Sequence, residues 1–163
     1  MNPKENTICI VVFILFSACN GNKTNQPAGA DGWLKGNDHE KFETVSKHLR
    51  GFDMAMVETG YRYQELYWAG KDQNWEYAAY QAEKLRVAVE NGLERRPKRA
   101  ESAQNYMNIA LPQIDSAVAS RDTVQFNQAF SVLTSHCMAC HAVEEVPHFI
   151  VKEPTVRQSP IRK

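Results

Sequence analysis

From residue 39 onward the apolar residues of this chain recur at alternating intervals of three and four, the period of a helix with one buried face. Phe42, Val45, Leu49, Phe52, Met56 and Tyr63 keep that interval, with Thr59 filling one seam position, and predict a first helix over roughly 39–69 that ends at AGKDQN. Trp75, Ala78, Ala82, Leu85 and Val89 predict a second over roughly 74–94, stopped at ERRPK, where Pro97 forbids continuation. Ala103, Tyr106, Met107, Ala110, Ile114, Ala117 and Val118 predict a third over roughly 99–120, with a kink expected at Pro112. Asp122, in the turn SRDT, is placed to cap a fourth helix. Its stripe runs Phe126, Phe130, Leu133, Cys137 and Cys140 and continues to about Glu145, before Pro147. No segment alternates with the period of a strand, and there is no internal repeat. Four amphipathic helices with short connections predict an all-α fold, an up-down-up-down four-helix bundle.

A chain of 163 residues is one domain's worth, long enough to bury a core. Nineteen basic residues balance nineteen acidic ones, so neither a nucleic-acid footprint nor a polybasic membrane patch is expected. The N-terminus has a different character. Lys4 leads into ICIVVFILF, an apolar run too short to span a membrane as a mature helix, and then FSAC. That ending resembles the lipobox of bacterial lipoproteins, with Phe16 where Leu is usual and Cys19 as the lipidated residue. The alternative, cleavage after Ala28-Gly29-Ala30, lies about ten residues past the apolar core, farther than signal peptidase normally reaches. The expected organisation is a signal peptide over 1–18, a flexible tether over 19–38, a helical domain over 39–147 and a C-terminal tail over 148–163. In that tail the short apolar HFIV is expected to fold back over the haem end, and only the last dozen residues to be loosely ordered. The expected location is the periplasmic side of a bacterial membrane, held by a lipid anchor.

With Cys9 removed with the signal and Cys19 on lipid, Cys137 and Cys140 are the cysteines left to the folded part. They stand with His141 in CMACH. Two thiols three apart on a helix can both add to the vinyl groups of one haem, and the adjacent His141 then lies under the iron as proximal ligand. A structural zinc site needs four ligands, and no second cysteine pair is present. A redox dithiol belongs at a helix N-terminus after a strand, whereas this motif falls at the end of a predicted helix. Attachment of haem c also requires export, which the N-terminal segment supplies.

With four predicted helices and CMACH near the end of the last, residues 38–147 resemble the class II c-type cytochromes, the cytochrome c-prime group and its low-spin relatives. More narrowly, LYWAGKDQNWEYAAY (66–80), CMACH and FIV (149–151) look like a group of bacterial cytochromes of this fold with no defined reaction. Members of that group often carry a His where this chain has Tyr63, so that residue's role is not carried over.

For the other face of the iron, depth along the bundle selects candidates. Cys137 lies 14 positions beyond Thr123, while Met56 lies 13, Met54 15 and His48 21 positions before Ala69. At about 1.5 Å per residue both methionines reach the haem level, but Met54 is off the apolar seam. Low-spin relatives take a Met ligand from the first helix, so the resemblance favours Met56 as distal ligand. His48 and an open sixth position lined by Phe52 or Leu49 are the alternatives. The aromatic set Tyr63, Tyr67, Trp68, Trp75 and Tyr77 is expected to pack the opposite end, far from the haem. Gly51 and Gly60, inside the first predicted helix, suggest close approach of a ring or a neighbouring helix.

The expected function is single-electron transfer by one covalent haem, with an undefined redox-partner protein and no catalytic residue, since no acid, base or nucleophile set is visible. Two rivals stay open: five-coordinate iron that binds NO or CO, and a haem subunit of a membrane oxidoreductase. Homodimerisation is also left open.

Overall fold

The computed structural model describes residues 25–161, in two units, one ending at Leu49 and one beginning at Arg50. The signal peptide, Cys19 and the first part of the tether lie outside the described residues. Among the described residues the chain is all-helical, with no strand beyond a single bridge between Ala28 and Leu34. No described helix is long and apolar enough to cross a membrane.

The first unit carries a 3-10 turn, Ala30–Gly32, and helix α1, Asp38–Leu49. Asn37 and Glu40 cap α1 reciprocally: Asn37 Oδ1 accepts from Glu40 N (3.1 Å) and Glu40 Oε2 from Asn37 N (2.7 Å). No residue of α1 is buried, and Phe42 is 74% exposed.

The helix predicted over 39–69 is therefore two helices. Arg50 adopts a left-handed φ of 62° and Gly51 also leaves helical geometry, so the chain restarts as α2, Phe52–Lys71. Asp53 fixes the restart by accepting from Gly51 N (3.1 Å) and pairing with Arg50. The apolar interval runs unbroken across this joint, so periodicity alone could not reveal it.

The second unit continues with α3, Trp75–Arg95, a 3-10 turn at Pro97–Arg99, α4, Ala100–Asn105, a π-helical turn at Tyr106–Ala110, α5, Leu111–Ser120, and α6, Thr123–Val143. Instead of a simple kink at Pro112, a π turn precedes it. Proline lacks an N–H and its ring presses on the carbonyl four residues back; the wider turn is placed to relieve both. Side chains set two further helix starts. Asn74 Oδ1 accepts from Tyr77 N (3.3 Å), and Asp122 Oδ1 from Val124 N (2.7 Å) and Gln125 N (3.0 Å). The amides of Gln125 and Val124 hold the Asp122 carboxyl below its usual range.

α2 packs on α3, α3 on α5, α5 on α6, and α6 returns to α2. Leu66, Leu85, Leu111, Ile114, Phe126, Phe130 and Leu133 are fully buried between them, each contributing roughly 1.5–3 kcal/mol.

The chain beyond Pro147 folds back, and the last dozen residues, expected to be loosely ordered, are tied at Lys152 and Arg157. Val151 packs on the core, Tyr63 Oη donates to Lys152 O (3.3 Å), and Arg157 makes a bidentate pair with Asp72 (2.6 and 2.7 Å). The guanidinium fork supplies what the polar composition of the last dozen residues does not advertise.

Candidate functional site

One face of α2 and one of α6 enclose a cavity of about 260 Å³ in the second unit. α2 contributes Phe52, Met56, Thr59, Gly60 and Tyr63, spaced to fall on one side of a helix. α6 contributes Cys137, Cys140 and His141 from its last turns, where three- and four-residue spacing puts both thiols and the imidazole on one face. Ala103 and Tyr106 come from α4 and the π turn, Val89 from α3, and Val146, Phe149 and Val151 from the chain beyond α6. Charged groups enter the lining as Asp53, Arg99 and Glu144. Glu144 joins two of the helical segments by pairing with Arg99 and accepting from Ser102 Oγ.

His141 is held in one orientation. After α6 the chain turns at Glu145 (φ 61°) and brings the Phe149 carbonyl oxygen to 2.6 Å from His141 Nδ1. A carbonyl only accepts, so Nδ1 carries a proton, and in the neutral ring Nε2 is the nitrogen with the free lone pair.

Burial, with Cys140 beside it, pushes the Cys137 thiol up to about 12, so at neutral pH it is a protonated thiol. On the cavity wall Thr59 Oγ1 is buried with no hydrogen-bond partner among the described residues, and Tyr106 Oη is buried beside the Cys137 thiol. Burial also raises the Tyr106 phenol well above its ordinary value, so it remains a donor. Beside Thr59, a Cβ added at Gly60 would meet no atom within 4 Å.

The residues expected from sequence are brought together in part. Cys137, Cys140, His141 and Met56 line the same cavity, and Phe52 does too. Met54 is 38% exposed. His48 and Leu49 belong to the first unit, where His48 lies edge-on to Trp33 with ring centroids 5.0 Å apart. Tyr63 departs from expectation: it lines the cavity, and its hydroxyl lies 2.7 Å from Thr134 Oγ1. The cavity extends along two turns of α2 beyond Met56, which depth counting toward a single level did not allow for. Tyr67 packs on Phe130 (5.0 Å) and Trp75 on Phe126 (5.9 Å), while Tyr77 donates to the buried Glu65 (2.6 Å). Tyr106 was legible only as part of an apolar stripe; the sole hint of another role was its hydroxyl, which a buried tyrosine normally pairs.

Comparison with protein-family models, with curated proteins and with solved structures finds no match for this chain.

Proposed function

We propose that the second unit is an up-down-up-down four-helix bundle of the class II cytochrome type that holds one covalent haem c and carries single electrons. The observation that carries the reading is the convergence of Cys137, Cys140, His141 and Met56 on one largely apolar cavity.

The residues fit the group. Cys137 and Cys140 would form the two thioethers. His141, with Nδ1 committed to Phe149, offers Nε2 as proximal ligand, and Met56 is the distal candidate. The open face at Gly60 leaves room for a planar ring, and the buried Thr59 hydroxyl, unpaired among the described residues, offers a donor to a polar occupant. A buried thiol held up near 12 is a poor thiolate at neutral pH, which argues against a redox dithiol. Cys137, Cys140 and His141 share the cavity wall, but among the described residues no three His, Cys, Asp or Glu side chains are grouped closely enough to hold a metal ion by themselves, and zinc bound by protein needs about four. Bound haem supplies one-electron iron chemistry; the chain supplies axial ligands, an apolar enclosure and orientation of the imidazole. The proposed setting is export and anchoring through Cys19 on the periplasmic side of a membrane.

A second reading, five-coordinate iron that binds NO or CO, is favoured by Thr59. Its buried, unpaired hydroxyl on the Met56 wall could donate to a small polar ligand.

The test is covalency. Haem should survive acidified-solvent extraction and add the mass of one haem to the peptide containing Cys137 and Cys140. Freely extracted haem, or stoichiometric zinc in its place, overturns the reading.

A further inference from the structure

The segment beyond α6 forms a strap along the second unit, with no regular hydrogen-bonding pattern of its own from Ile150 to Pro154. Phe149 N donates to Val146 O (3.0 Å) and Val151 packs on the core, and beyond these the strap is placed by cross-ties. His141 Nδ1 bonds Phe149 O (2.6 Å), Val151 N donates to Met138 Sδ (3.1 Å), and Tyr63 Oη donates to Lys152 O (3.3 Å). Thioether sulfur is a weak acceptor and the tyrosine bond is long, so neither fixes the strap firmly.

The strongest tie lies eight residues beyond Phe149. Arg157 donates two charge-assisted bonds, at 2.6 and 2.7 Å, to the Asp72 carboxylate at the end of α2. Its guanidinium also lies 4.8 Å from the centroid of the Trp68 ring. The two side chains are only 17% and 25% exposed, so water screens the pair less than a surface ion pair. Asp72 caps the helix that carries Met56, while the near end of the strap supplies the carbonyl that orients His141.

We propose that Arg157 and Asp72 are a positioning pair for His141, acting through the strap on the Phe149 carbonyl and so on the electron density that the imidazole gives the iron. The inference rests on the haem reading above. Releasing the clasp frees the backbone of the strap, and the Phe149 carbonyl is then shared among more positions. A weaker Nδ1–H bond leaves the imidazole less electron-rich, ferric iron less stabilised and the midpoint potential higher.

The test uses full-length, haem-loaded protein with Arg157→Met, Asp72→Asn, and the swap Arg157→Asp with Asp72→Arg. Three readouts are followed: solvent exchange of the His141 Nδ1 proton by NMR, amide protection over residues 150–156, and midpoint potential. Both single variants should exchange the Nδ1 proton about tenfold faster, lose amide protection and shift the potential upward. The swap should move all three back toward wild type. If the single variants fail to fold, Arg157→Lys keeps the charge without the fork and should shift the same readouts part of the way. Lower thermal stability with unchanged Nδ1 exchange and potential overturns the proposal. So does a swap that restores nothing. A wild-type chain without covalent haem overturns the functional reading itself, whereas unchanged readouts in haem-loaded protein overturn only the clasp.

Discussion

Met56 and Met54 stand two residues apart on α2, yet Met56 lines the cavity that contains both CMACH thiols while Met54 is 38% exposed. Two residues are about 200° of helical rotation, which puts the thioethers on opposite sides of the helix. If Met56 ligates the iron, ferric protein is low-spin, with the weak red charge-transfer band of Met–Fe(III), and binds CO slowly when reduced. Met56→Ala should make it high-spin and open to CO, while Met54→Ala should leave the spectrum nearly unchanged. Wild-type protein that is already high-spin and takes CO quickly would favour the gas-binding reading instead.

Gly60 gives a test that does not depend on ligation. It is an exposed helix-interior glycine whose added Cβ would meet nothing within 4 Å, so nothing in the described protein requires a glycine there. In haem-free protein Gly60→Ala should raise stability by about 1 kcal/mol, read from denaturant unfolding. If a planar ring occupies that space, Gly60→Phe should sharply lower the haem bound per chain. Full haem loading in Gly60→Phe would place the ring elsewhere.

Cys19 can be tested directly in cells. Acylation of this residue would bind far more firmly than the marginal, reversible single-chain case. Cys19→Ala should therefore release the protein from membranes or block its processing, as seen by fractionation. Wild type already soluble in the periplasm would remove the lipobox reading.

What the sequence made legible was local. The second and fourth helices and the Asp122 cap follow from spacing and from one side chain reaching its own backbone. The thiols and His141 share a face because the motif sits in a helix. What it hid was either silent in apolar spacing or distant along the chain. The joint at Arg50 and Gly51 leaves the three-four interval intact, and the π turn before Pro112 adds a residue without changing which residues are apolar. Tyr63 keeps its seam position, but the length of the cavity depends on what α4, α6 and the strap leave unfilled. The Phe149 carbonyl and the Arg157–Asp72 pair are contacts made by a segment with no periodic pattern, the latter across 85 residues.

Tyr63 sets the last prediction, the response to alkali. Burial pushes its phenol up to about 12, against 10.0 for an ordinary tyrosine, with Thr134 opposing the shift through its hydrogen bond. The folded state therefore keeps the proton over a range in which the unfolded chain has lost it. By linkage, the stability this provides is fully present below about pH 10 and falls away as pH rises to about 12. The difference would be worth about 2.7 kcal/mol if fully expressed, and roughly 1–2 kcal/mol after allowing for partial solvent screening. Tyr63→Phe removes this titration but also the bonds to Thr134 and Lys152 O, so below pH 10 the variant should be about 1 kcal/mol less stable. Its alkaline limb should be shallower, and the two stability curves should converge as pH approaches 12. Haem-loaded protein is the proper sample, because a thioether at Cys137 removes one further alkaline titration, while the raised Tyr77 and Tyr106 are common to both proteins and cancel in the comparison. Parallel curves for wild type and Tyr63→Phe between pH 9 and pH 12, in denaturant unfolding, would show that Tyr63 does not carry the alkaline transition.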